Sequence, residues 1–213
     1  MTTPSSKATT ESLDAYGSVN RLCSLCSWMC RHSCPTHLVT RSDACSPTGR
    51  ALIIELYRGG KSAFTEAAVN RLYQCNLCSA CRLWCKPQHD LPRIIELARE
   101  RIVQEHRAPK GLLDLDEIVT THGNVYGEPT SRRFTIPKSE SYPLNKNAHV
   151  LYFVGCTTSY RHPEIAKATV KILTRLGIKV SLLTGEKSEV CCGSPLIRAG
   201  FTDNAKALAK QNI

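Results

Sequence analysis

Cys75-Asn-Leu-Cys78-Ser-Ala-Cys81-Arg-Leu-Trp-Cys85 is a C-x2-C-x2-C-x3-C run. Three cysteines at x2 spacing let one tight loop wrap three corners of a cubane iron–sulfur cluster. The fourth, beyond the loop, reaches the neighbouring cluster in two-cluster ferredoxins. Upstream, Cys23-Ser-Leu-Cys26-Ser-Trp-Met-Cys30-Arg-His-Ser-Cys34-Pro35 repeats the design with one extra residue between its second and third cysteines. On this logic Cys23, Cys26, Cys30 and Cys85 hold one [4Fe–4S] cluster, and Cys75, Cys78, Cys81 and Cys34 hold a second. The opposing reading is a structural zinc-binding interaction module, because four thiolates also close a tetrahedral zinc site. Zinc ribbons use paired C-x2-C knuckles, however, and not four-cysteine runs.

Around these runs the hydrophobic period is helical. Ser46-Pro47 reads as an N-cap with proline at the first helical position, leading into Arg50-Ala-Leu-Ile-Ile-Glu-Leu-Tyr57 and stopped by Gly59-Gly60. Ser62 is expected to cap a second helix from Ala63 to Leu72. Asp90 and Pro92 open a third, with Ile94, Ile95, Leu97, Ala98 and Ile102 as its apolar stripe. Residues 18–106 are therefore expected to form an all-helical domain, preceded by a disordered tail over 1–17. Residues 107–147, rich in Gly, Pro, Asn and charge, read as a linker with a short helical candidate around Leu112–Val119.

From 148 to 213 the period changes. His149-Val-Leu-Tyr-Phe-Val154 and Ile178-Lys-Val-Ser-Leu-Leu183 read as strands flanking a helix from Pro163 to Leu176, with a further helix from Pro195. Strand–helix–strand of this length is a parallel βαβ unit. Two strands leave such a sheet incomplete, so a partner chain or further sequence is expected to finish it.

The chain has 213 residues, of which 12 are cysteine; Lys and Arg total 28 against 18 Asp and Glu, a formal charge of +10. Two clusters with four thiolates each would remove about 4 units of that charge. No aromatic interleaving or basic recognition helix accompanies it, so nucleic-acid binding is not expected. No apolar run is long enough to span a membrane. The first residues lack the apolar stretch of a secretory signal, so the cysteines are expected in a reducing, cytoplasmic setting where metal ligation is favoured over disulfides.

Cys34-Pro-Thr, Ser46-Pro-Thr-Gly-Arg50, Gly59-Gly60, the Cys75–Cys85 run and Gly123-Asn124-Val-Tyr-Gly127-Glu-Pro129 together resemble the heterodisulfide reductase family. That family includes its C and D subunits and the iron–sulfur subunits of glycolate oxidase and anaerobic glycerol-3-phosphate dehydrogenase. The resemblance implies an α-helical ferredoxin domain with two [4Fe–4S] clusters, followed by a partial α/β Cys-Cys-Gly domain. Two departures stand out, the x3 spacing before Cys30 and Lys86 between Cys85 and Pro87; neither removes a thiolate. Cys156 and Cys191-Cys192-Gly193 resemble the opening of the Cys-Cys-Gly domain, whose complete form adds a later C-x-x-C and binds a further cluster. Cys156, Cys191 and Cys192 are thus a possible third metal site short of ligands, at the carboxyl edge of the βαβ sheet where ligands gather.

The resemblance implies an electron-transfer subunit of a multi-subunit, heterodisulfide-reductase-like oxidoreductase, not catalytic alone. It would relay electrons between a flavoprotein or ferredoxin and a catalytic site. The expected assembly is a hetero-oligomer, held at a membrane only through a partner if at all. The alternative is a disulfide or thiol reductase with a third cluster at the Cys-Cys-Gly site. Among smaller signals, Cys45 reads as a spare thiol. His32, His37 and His89 read as neighbours of the cluster loops, and Trp28 and Trp84 as covers excluding water. Arg31, Arg82 and Lys86 are candidates for stabilising reduced clusters or steering an acidic partner.

Overall fold

The structure, a computed structural model, describes residues 12–27, 29–134, 148, 150–183 and 189–213. It divides into two compact units, the first ending at Pro109 and taking in Arg198–Gly200, the second comprising Lys110–Ile197 and Phe201–Ile213.

The first unit is helical: α1 (Gly17–Leu25), α2 (Pro35–Thr40), α3 (Pro47–Arg58), α4 (Glu66–Tyr73), α5 (Ala80–Leu83) and α6 (Leu91–Gln104). Caps written in the sequence set three of these starts. The Ser46 hydroxyl accepts from Gly49 N at 3.0 Å, with Pro47 beginning α3. Asp90 accepts from Arg93 N at 3.2 Å, with Pro92 in the first turn of α6. Thr65, and not Ser62, caps α4 by accepting from Ala68 N. The Ser62 hydroxyl donates instead to Ala63 O, so this helix begins at Glu66. Helix α1 runs along α3, and α6 packs on α3 and α4. Ile54, Phe64, Leu72, Ile94, Ile95 and Ile102 are fully buried between them; each such side chain stabilises the fold by roughly 1.5–3 kcal/mol.

The second unit holds α7 (Lys110–His122), β1 (Val150–Leu151), α8 (Cys156–Tyr160), α9 (Pro163–Arg175), β2 (Val180–Ser181) and α11 (Thr202–Asn212). Between β2 and α11 lies α10 (Ser194–Ala199), whose last two residues group with the first unit. Strands β1 and β2 pair in parallel, Val150 opposite Val180 and Leu151 opposite Ser181. Both are shorter than the expected spans 149–154 and 178–183, and His149 lies outside the described residues. Beyond β1 the amides of Val154 and Gly155 donate not to β2 but to the Glu189 carboxylate, each at 2.9 Å. The expected helix from Pro195 is broken at Gly200, where φ is +97°. Part of the stretch read as a linker is structured, contributing α7 and the loop that follows it to the second unit; 135–147 lie outside the described residues. Among the described residues no helix is long and apolar enough to cross a membrane.

Candidate iron–sulfur sites

In the first unit the eight motif cysteines line two adjoining cavities. One, of about 190 Å³, is walled by Cys23, Cys26, Cys30, Cys81 and Cys85, with Met29, Trp84 and His89 also lining it. The other, of about 20 Å³, is walled by Cys34, Cys75, Cys78 and Cys81. Pro47, Cys81 and Leu91 face both cavities. Each set joins distant stretches of chain. Cys23 lies in α1, Cys26 at its C-cap, and Cys85 just past α5; Cys34 is the N-cap residue of α2, across from the loop that carries Cys75 and Cys78. That loop is tight, with Leu77 at φ 51° and Ser79 at φ 61°, and the Leu77 amide already donates to Cys75 Sγ at 3.4 Å.

Burial pushes the Cys23 thiol up to about 12, helped by Cys85, Cys30 and Cys26 beside it. Burial likewise pushes Cys81 up to about 12, with Cys30, Cys75 and Cys78 adding to it. Thiols held that close in an apolar wall resist ionising together unless a cation takes the charge. Among the described residues no three His, Cys, Asp or Glu side chains converge on one point as ligands of a single ion. The thiolates of a cubane each bind a different iron, and so stand around a cavity and not around a point. The chemistry of this all-thiol donor set fits iron–sulfur ligation.

The neighbours are ordered. His89 Nδ1 lies 3.6 Å from Cys23 Sγ. His37 is buried, taking a 2.6 Å bond from Arg31 Nε at Nε2 while Nδ1 faces Ser42 O. Trp84 borders the first cavity and meets His32 edge-on, yet it is largely exposed, so its cover is partial; Trp28 lies outside the described residues. Cys45 is buried and lines neither cavity, donating to Gln74 Oε1 at 3.2 Å while its carbonyl accepts from Cys34 Sγ. Arg82 is held by Asp90 at 2.7 Å. Cysteine spacing assigns no role to Arg50, which ends the Ser46–Arg50 stretch that carries the resemblance, or to Arg99, two buried arginines beside the second cavity. Arg50 stands on the buried face of α3 with Pro47, Ala51 and Ile54, a helical-period position where a charge is out of place, and that is the signal by which it could be found.

In the second unit Cys156 follows Gly155 and begins α8, and the Cys191 thiol is its neighbour; Cys192 is exposed. The Cys191 thiol holds the Cys156 thiol down at about 6, against burial and with help from Arg133. Cys156 and burial push Cys191 up. Around them, the Asn124 side chain organises the 123–129 loop, donating to His122 O and Glu128 O and accepting from the amides of Tyr126 and Glu128. The Cys191 amide donates to Gly123 O at 2.7 Å. Buried Arg133 is fixed by Glu189 at 2.7 Å. Neither Arg133 nor Glu189 is marked in the sequence, because each sits in a charged, loop-like stretch.

Comparison with known proteins agrees with this chemistry. Residues 150–213 match the cysteine-rich domain family whose signature is Cys-Cys-Gly. An uncharacterized iron–sulfur protein of Methanococcus maripaludis is 31% identical over 156 residues, 72% of this chain and 30% of that one. The D subunit of the dihydromethanophenazine:CoB–CoM heterodisulfide reductase of Methanosarcina barkeri is 32% identical over 147 residues, 67% of this chain and 35% of that one. The C subunit of the anaerobic glycerol-3-phosphate dehydrogenase of Escherichia coli K12 is 45% identical over 64 residues, 30% of this chain and 15% of that one. The chain belongs to the heterodisulfide-reductase-like family of iron–sulfur proteins. It spans about a third of the length of the first two of these relatives. No solved structure matches it.

Proposed function

We propose that this chain is an iron–sulfur electron-transfer subunit of a multi-subunit oxidoreductase, working in the cytoplasm between a flavoprotein or ferredoxin and a catalytic partner. The supporting observation is that the eight motif cysteines line two adjoining cavities, Cys81 facing both. Cys23, Cys26, Cys30 and Cys85 would hold one [4Fe–4S] cluster, and Cys34, Cys75, Cys78 and Cys81 the other. When bound, such groups supply reversible one-electron chemistry. The protein's own task is to exclude water with Pro47, Leu91 and Ile95, to keep the two groups adjacent through shared walls, and to set their potentials through neighbouring charges. Cysteines used as ligands, and not in disulfides, favour a reducing compartment.

Anaerobically purified protein is expected to carry about eight iron and eight acid-labile sulfide per chain, with broad visible absorbance that bleaches on reduction. Stoichiometric zinc without sulfide would overturn the reading.

A second reading is favoured by one observation, the neighbouring thiols of Cys156 and Cys191, with Arg133 beside Cys156. Together with Cys192 it would act as a thiol–disulfide couple, or as three ligands of a third cluster completed from another chain. Iron in excess of eight per chain, lost in a Cys156→Ser variant, is the result expected of the cluster form.

A further inference from the structure

We propose that Arg50 fixes the order of reduction in this protein, raising the potential of the cluster held by Cys34, Cys75, Cys78 and Cys81 above that of its neighbour. The inference rests on the two-cluster reading above.

Arg50 is 1% exposed. Its Nε donates to Arg71 O at 2.9 Å and its Nη1 to Cys34 Sγ at 3.6 Å, while Nη2, fully buried, has no hydrogen-bond partner. It also forms part of the wall of the second cavity. Among the described residues no carboxylate pairs with it. The same holds for Arg99, 5% exposed, whose guanidinium donates to the carbonyls of Leu72, Cys75 and Arg198. Two cations are thus buried close enough to repel each other, with no carboxylate paired to either among the described residues. Burial of an uncompensated charge is among the costliest arrangements a fold can hold, and elsewhere this chain avoids it, giving buried Arg133 the carboxylate of Glu189. A four-thiolate cubane carries about −2, which is the missing counter-charge. Among the described residues the first cavity has no such cation: the lysine on its wall, Lys86, is exposed and solvated, and the group beside Cys23 is a histidine.

The asymmetry has a redox consequence. Adding one electron from an external reductant takes a cubane with its thiolates from about −2 to −3. A fixed buried cation stabilises the more negative form more, and bulk salt screens it little. Arg50, donating to a ligand sulfur, acts through charge and hydrogen bond together. It is a positioning and tuning residue, and a guanidinium kept only for packing would not bury an unpaired Nη2 while Nη1 donates to Cys34 Sγ.

The test uses the full chain, anaerobically reconstituted and titrated with dithionite while each centre is followed by EPR. Iron and sulfide content comes first and reports on the two-cluster reading alone. The centre whose spectrum changes in Cys34→Ala identifies the second cluster. In the unsubstituted protein that centre is expected to be reduced first. Arg50→Gln is expected to shift the electron distribution toward the other cluster at least tenfold, about 59 mV for a one-electron couple, with the other centre unmoved; Arg50→Lys should keep most of the original separation. An Arg50→Gln protein with both clusters loaded and an unchanged separation overturns the proposal. Should that variant lose its cluster, the unsubstituted protein still decides, because reduction of the Cys34 centre after its neighbour overturns the proposal equally.

Discussion

A Cβ built on Gly49 would stand 2.1 Å from the carbonyl oxygen of Asp43 and 2.9 Å from the Cα of Ala44. The turn through Asp43–Cys45 therefore lies directly on the first turn of α3, and only glycine admits it. Gly49→Ala is expected to cost about 1–3 kcal/mol, as overpacking against backbone does, read as a lower thermal midpoint. An unchanged midpoint would mean the turn can retreat freely. Glu189 is the opposite case, a residue defined by what it holds. Its carboxylate accepts from Arg133 Nη2 at 2.7 Å and from the amides of Val154 and Gly155, joining three separate stretches behind Cys156. Glu189→Ala leaves a buried guanidinium and two amides without their acceptor, and should destabilise the second unit by about 3–5 kcal/mol in urea unfolding. A loss no larger than that of an exposed carboxylate would show that water replaces it.

At the scale of elements, legibility followed the chemistry of the helix ends and the polarity of the buried face. Helix α3 is readable from end to end because Ser46 and Pro47 open it and Gly59-Gly60 close it. Helix α1 is not. Its N-cap residue Tyr16 makes no side-chain capping bond, and its buried residues are Asn20 and Ser24. Asn20 offsets its burial through bonds to Ala51 O and Glu55 Oε2 on α3, and a helix buried on a polar face shows no apolar stripe. The cysteine runs are read as cluster motifs from spacing alone, whereas the unpaired charge of Arg50 is visible only with its surroundings. The element that ties the two runs together is α2, which carries Cys34 at its N-cap to the loop of the second run. Cys34→Ala is accordingly expected to perturb the centre formed with Cys75, Cys78 and Cys81, and to abolish magnetic coupling between the reduced centres. Loss confined to the centre of Cys23, Cys26 and Cys30 would show instead that each run closes its own cluster.

At the scale of the whole molecule, the second unit leaves apolar surface in solvent. Its sheet has two strands, so each has an unpaired edge among the described residues, and paired edges or covering elements are what keep such sheets from associating. Leu151 on β1 is 56% exposed. Helix α9 buries Ala166 and Val170 on one side, yet Ile172, 58% exposed, and Leu176 at its C-cap, 69% exposed, continue a second apolar stripe begun by Ile165. A helix apolar on two sides is built to be covered twice, and contiguous exposed patches of this kind mark association sites. The 213-residue chain on its own is therefore expected to self-associate through residues 148–213, with a light-scattering mass that exceeds the 23.6 kDa of one chain and rises with concentration. Ile172→Glu combined with Leu176→Lys should return it to a monomer without loss of iron, since neither side chain lines the cysteine cavities of the first unit. A monodisperse monomer before any substitution, with Cys156, Cys191 and Cys192 all open to alkylation, would defeat the idea and leave the third cysteine group as simple thiols.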